Sequence, residues 1–214
     1  MSFDPRSHYQ DIAAAERYDE VRFRSLSGRV FQWADRQSML AVLTELTPGM
    51  TILDAPCGTG RMSRLFLEKG LKVIGGDVSA QMMAVARKRL GDTKGEIGFC
   101  RMDLTRLPLQ DASVAGAFSI RFLPHIKPSE RVLMLRELRR VARKWVVISI
   151  SVSSPWHRLR RKIRDWLGLP KSVRYPATLR EIEAELQQSG LTIARKIWTF
   201  PILSEQVLLV CHKS

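Results

Sequence analysis

The chain has 214 residues, 45% hydrophobic and 26% charged, a balance ordinary for a globular domain and unlike a disordered or collagen-like chain. A chain of this length buries a core without metal or disulfide staples. Lys and Arg outnumber Asp and Glu by 35 to 21, a formal charge of +14, and eleven basic residues lie between Arg131 and Pro170 against only Glu137 and Asp165. Such a surplus suits an anionic partner (nucleic acid, a phosphorylated substrate or an anionic membrane face) or a merely solvated surface.

Cys57, Cys100 and Cys211 are widely spaced, with no CxxC, so a disulfide framework is not expected and a reducing cytoplasm is. The polar stretch from Met1 to Gln10 does not read as a signal peptide. No apolar run approaches the roughly 20 residues of a membrane span. The expectation is a soluble, cytoplasmic protein.

The N-terminal fifth reads as helical, with a small break at Ser25–Gly28. Val30, Phe31, Ala34, Ser38, Ala41 and Val42 then recur at three- and four-residue steps, predicting an amphipathic helix that ends near Pro48-Gly49. Thr51–Ala55 is a short strand, and Arg61–Lys69 a helix stopped by Gly70. Leu71–Gly75 is a second strand whose end is Asp77, and Ser79 caps a helix from Ala80 to Leu90, stopped by Gly91. Ile97–Arg101 and Val114–Ile120 read as strands, Pro128–Ala142 as a helix opened by proline, and Trp145–Ile150 as a strand. Apolar strands alternating with helices predict a parallel sheet covered on both faces. Thr178–Ser189 is a helix. Leu191–Phe200 and Glu205–His212 are joined by so short a link that they must pair antiparallel.

The segment Ile52-Leu-Asp-Ala-Pro-Cys-Gly-Thr-Gly-Arg-Met62 runs from a strand through a glycine turn into a helix. Gly58 and Gly60 let a ligand approach the backbone closely, and the helix start presents N–H groups. About twenty residues on, Asp77 ends the next strand, where a carboxylate can accept hydrogen bonds from a ribose diol. Asp54 would repel a pyrophosphate but suits a ligand with a positive centre.

Asp54-Ala-Pro-Cys-Gly-Thr-Gly60 resembles the first motif of the class I S-adenosylmethionine-dependent methyltransferases. Val73–Ser79 resembles their second motif, Arg101–Pro108 their adenine-side loop, and Ser119–Ile126 the loop after their fourth strand, all in family order. The resemblance implies an α/β, Rossmann-like sheet of seven mostly parallel strands in the order 3-2-1-4-5-7-6, with a C-terminal antiparallel pair. It also implies S-adenosyl-L-methionine as cofactor. Asp54, Cys57, Gly58, Thr59 and Gly60 would form the methionine side of the site, Asp77 with Val78 would hold the ribose, and Asp103 with Leu104 would flank the adenine. A loop-capping role is the alternative for Asp103. Two positions depart from the family pattern: Pro56 stands where a glycine is usual and removes an N–H, and Ala115 replaces an acidic residue at the start of the fourth strand.

Methyl transfer needs an aligned acceptor, and a base only when that acceptor keeps a proton. His125 is the candidate base, since imidazole titrates near neutrality; packing under the loop is its other reading. Arg121 is a candidate for an acidic group of cofactor or substrate, or for a structural ion pair. Tyr18 could close over the cofactor from the N-terminal region. His8, His125, His157 and His212 lack metal-ligand spacing, so no metal is expected.

By organisation, 1–48 is a helical cap and 49–214 the methyltransferase domain, with a basic helical lid inserted at about 153–175. Within 155–169, Trp156, Leu159, Ile163, Trp166 and Leu167 fall at helical spacing among Arg158, Arg160, Arg161, Lys162 and Arg164. This pattern fits a lid over the sheet, a contact with an anionic membrane at its inner face, or both. The leading expectation is methylation of a small-molecule or lipid- or quinone-like acceptor at oxygen or carbon. An RNA methyltransferase using the basic surface, and a non-catalytic S-adenosylmethionine-binding protein, are the alternatives.

Overall fold

The computed structural model describes residues 26–152, 166, 175, 177–199 and 205–214. Helix α1 (Leu26–Leu43) precedes β1 (Thr51–Asp54), α2 (Arg61–Glu68), β2 (Lys72–Asp77), α3 (Ala80–Leu90), β3 (Ile97–Arg101) and β4 (Val114–Ser119). A short 3-10 turn (Leu123–His125) leads to α4 (Pro128–Val141), β5 (Ala142–Ser151), α5 (Leu179–Gln188), β6 (Leu191–Trp198) and β7 (Gln206–Lys213). The strands form one seven-stranded sheet in the order β3-β2-β1-β4-β5-β7-β6. Strands β1 to β5 pair parallel, and β7 runs antiparallel to both β5 and β6. This is the topology that the four sequence motifs imply.

Local signals set most boundaries. Ser79 caps α3, its Oγ accepting the Met82 N–H at 3.2 Å, and Thr178 and Glu181 form a reciprocal capping box at α5. Gly70 and Gly190 take left-handed backbone after α2 and α5, whereas Gly91 stays right-handed at φ −52°. Several boundaries differ from the sequence reading, and two of them have a clear physical reason. Helix α1 already includes Leu26 and Gly28, since burial of Ala34, Met39, Val42 and Leu43 outweighs one unfavourable glycine. Strand β5 starts at Ala142, directly after α4, because Ala142 pairs with Val114 and draws the exposed Arg143 and Lys144 into extended backbone.

Side chains alternate between two core layers, as strand geometry requires. Val146, Ile148 and Leu209 pack with Met134, Leu138, Ile182 and Leu186 on the α4–α5 side. Val147, Leu208 and Val210 pack with Met39, Val42 and Phe66 on the α1–α2 side. No described helix is long and apolar enough to cross a membrane. Of residues 153–175, where the sequence reading expects a lid, only Trp166 and Tyr175 are described, and Trp166 is exposed. The lid and membrane-contact expectations otherwise lie outside the described residues.

The basic surplus has a partly internal use. All four α4 arginines are engaged with the fold. Arg131 is buried, with Nε and Nη2 donating to both Glu185 carboxylate oxygens at 2.9 and 2.6 Å. Arg136 reaches the Gln188 carbonyl, Arg139 the Gly190 carbonyl, and Arg140 the Leu107 and Leu109 carbonyls. The Arg131–Glu185 pair fastens α4 to α5, and removing one member leaves a buried charge without its partner. Glu185→Ala should therefore cost about 3–5 kcal/mol in urea unfolding. The double variant Arg131→Met/Glu185→Leu should recover most of that loss.

Candidate functional site

One cavity lies at the carboxyl ends of β1, β2 and β4, where the sheet order reverses and ligands of open α/β sheets bind. Its wall includes Asp54, Cys57, Gly58, Thr59, Asp77, Val78, Asp103, Leu104, Arg121 and His125. Residues far apart in the chain thus converge on one space. Gly60 is not on the wall: its backbone is left-handed at φ +76°, and a Cβ there would come within 2.9 Å of Leu90. Its role is to bring the turn close to α3. Gly58 is also left-handed, at φ +53°, with nothing within 4 Å of where a Cβ would stand. That open space leaves room for close approach to the backbone. Tyr18 lies outside the described residues.

Hydrogen bonds fix the turn between the first two strands. Asp77 accepts the Gly58 N–H through Oδ2 and the Ser79 N–H through Oδ1, both at 2.9 Å, while the Cys57 N–H donates to the Gly76 carbonyl at 2.8 Å. The Arg89 guanidinium donates to both the carbonyl and the hydroxyl of Thr59. Asp54, buried at the end of β1, accepts the Ser63 hydroxyl at 2.6 Å. Burial pushes the Asp54 carboxyl up to about 7, against the Ser63 bond and aided by the Asp77 charge. Burial likewise raises Asp77, against the Ser79 and Gly58 amides. It pushes the Cys57 thiol far up, so Cys57 is a neutral wall and not a nucleophile.

Asp103 caps its own loop, Oδ1 accepting both the N–H and the hydroxyl of Thr105 at 2.8 Å, and it also lies on the cavity wall. Its two readings are therefore compatible. The following loop is held from α4: Glu137 accepts the Leu107 N–H at 2.7 Å, and Arg140 pairs with Glu137 while donating to the Leu107 carbonyl. At the other wall the His125 N–H closes the 3-10 turn onto the Phe122 carbonyl at 2.9 Å. The Tyr175 N–H meets the Pro124 carbonyl at 2.7 Å, which places Tyr175 beside this 3-10 turn.

The sequence motifs contain much of the remaining wall without marking it as such, and Met82 and Met134 lie outside them. Met62, Met82, Met102, Met134, Ile120 and Phe122 line it, as do Pro56, Arg61 and Ser79. Helical spacing marks residues such as Met82 and Met134 as core, and both are buried. Only the packing shows that they also face a cavity.

Known proteins resemble this chain in sequence and fold. Residues 52–144 match the family model described as a methyltransferase domain. The malonyl-[acyl-carrier protein] O-methyltransferase of Pectobacterium atrosepticum is 32% identical over 143 residues, 63% of this chain and 54% of that protein. The demethylmenaquinone methyltransferase of Thermotoga maritima is 33% identical over 135 residues, 61% of this chain and 54% of that protein. The chain thus spans about half the length of these curated relatives. The magnesium protoporphyrin IX methyltransferase of Synechocystis PCC 6803, solved with bound SAH, superposes with a TM-score of 0.81 at 20% identity over 98% of both chains. Residues 52–144 thus resemble a methyltransferase domain, and the seven-stranded sheet shares the fold of that SAH-bound neighbour.

The raised carboxyl of Asp54 has a consequence for stability. Its folded value lies above the unfolded one, so its contribution is fully present below about 3.8 and lost as the pH rises through about 7. In urea titrations the unliganded chain should lose stability across that window. The loss should be smaller in Asp54→Asn, whose side chain carries no titrating proton.

Proposed function

We propose that the chain is an S-adenosylmethionine-dependent methyltransferase acting on a small-molecule acceptor at oxygen or carbon. The observation that carries this reading is the convergence of the open Gly58 cradle, the buried Asp54 and Asp77 carboxylates and the Asp103–Leu104 loop on one cavity. The site chemistry fits the cofactor. Asp54 offers a buried carboxylate to its ammonium group, Asp77 faces the position of a ribose diol, and Leu104 with Met102 supplies an apolar seat for a purine. When bound, S-adenosylmethionine supplies an electrophilic methyl carbon activated by its sulfonium.

The remaining work falls to positioning. Apolar side chains of Ile120, Phe122 and Met134 exclude water and favour an acceptor with an apolar body. His125 lies on the same wall and takes the proton of a hydroxyl or enol acceptor. The two curated relatives are named for a malonyl carrier protein and a demethylmenaquinone, and the structural neighbour for a magnesium porphyrin. Those names favour a small or carrier-borne acceptor. The formal charge of +14 is the feature that favours RNA, and an RNA acceptor predicts binding that weakens steeply with salt.

Calorimetric titration with S-adenosylhomocysteine tests the cofactor, with micromolar binding expected of the parent chain. Asp77→Ala should weaken that binding by at least about tenfold, because it removes both the diol acceptor and the bond that holds Gly58. Labelled S-adenosylmethionine offered to small-molecule, lipid and RNA fractions should mark the small-molecule or lipid fraction; label only in RNA would overturn the acceptor assignment. With the acceptor in hand, His125→Ala should lower kcat by about 10²–10⁴-fold while S-adenosylhomocysteine affinity holds. A kcat within threefold of the parent would remove His125 from the chemistry.

A further inference from the structure

Arg121 follows β4 and carries a left-handed backbone at φ +65°. Among the described residues only Ala112 shares that feature without being glycine, and a long side chain adopts it at a cost that the surroundings must overcome. Two contacts do so here. The Arg121 N–H donates to the hydroxyl of Ser149 on β5, and its Nη1 forms an ion pair with Asp35 on α1, 86 residues earlier. Both side chains of the pair are largely buried, 18% and 5% exposed, and Arg121 lines the cavity.

We propose that Arg121 forms a carboxylate-binding subsite of this cavity and that Asp35 is the residue that positions it. The inference rests on the methyltransferase reading and deepens it. Asp54, Asp77 and Asp103 line the cavity and repel an anion, so a ligand's carboxylate seeks the cationic wall. A guanidinium is a planar fork that matches a carboxylate's two oxygens. Asp35 fixes the guanidinium while offsetting part of its charge, which favours a monoanionic carboxylate over a phosphate dianion. The strained backbone and the Ser149 bond hold the base of the side chain, and Asp35 holds its tip. The carboxylate has two sources: the methionyl end of the cofactor, or the acceptor itself.

The experiment uses the full chain and two pairs of probes. S-adenosylhomocysteine is compared with methylthioadenosine, which lacks the amino-acid end. Decanoate is compared with decanamide on the protein saturated with S-adenosylhomocysteine. If the cofactor is the source, the parent prefers S-adenosylhomocysteine, and Arg121→Gln lowers that preference by at least about tenfold. If the acceptor is the source, that preference holds in Arg121→Gln, but the preference for decanoate over decanamide disappears. Asp35→Asn should lower whichever preference Arg121→Gln lowers, by about threefold or more, and it provides the readout if Arg121→Gln fails to fold. A loss of thermal stability with both preferences intact overturns the subsite and leaves a purely structural ion pair. A parent chain that binds neither nucleoside overturns the methyltransferase reading and this inference together; nucleoside binding with both preferences unmoved overturns this inference alone.

Discussion

The Asp77 carboxylate bridging the Gly58 and Ser79 amides is the contact on which the site depends. It joins the turn after β1 to the end of β2, so neither segment can move without breaking a buried, charge-assisted bond. Because Asp77 is itself buried, the ionised carboxylate is tolerated only while those amides satisfy it. Asp54 lies close enough for its charge and that of Asp77 to be felt together. Two desolvated carboxylates around one cradle make the unliganded pocket electrostatically unfavourable, and a ligand with a positive centre relieves that cost. On the proposed function, the same arrangement that weakens the empty fold would favour a cationic ligand.

Around this clamp the helices do different work. Helices α2 and α3 start at the cavity and cover one sheet face. Helices α4 and α5, locked by Arg131 and Glu185, cover the other and brace the loop after Asp103 through Glu137 and Arg140. Arginines concentrated in one helix would suggest a surface for polyanions. In the fold they bond carbonyls and carboxylates of neighbouring segments, and Arg131 does so while buried. Net charge is therefore a poor guide to the partner here, since part of the surplus is internal.

The motifs made much of the site legible. A glycine turn after a short strand and an acidic residue ending the next obey local rules, whereas the sheet order and the Asp103–Leu104 pair were implied by the family that the motifs resemble. Gly60 shows where this reasoning stops. It belongs to the motif as written, yet it serves the approach of the turn to α3 and does not line the cavity. Asp103 shows the same ambiguity, being both a loop cap and a wall residue.

By itself the sequence determined the succession of strands and helices, the antiparallel C-terminal pair and the glycine turn that borders the cavity. These depend on periodicity, capping and backbone permissiveness, all of which act over a few residues. Only the tertiary structure decided that Asp35 meets Arg121, that Arg131 is buried against Glu185, and that methionines of four separate segments share the cavity wall. Such meetings are set by how the layers pack, and an arginine or methionine reads the same in sequence whether it faces solvent, core or ligand.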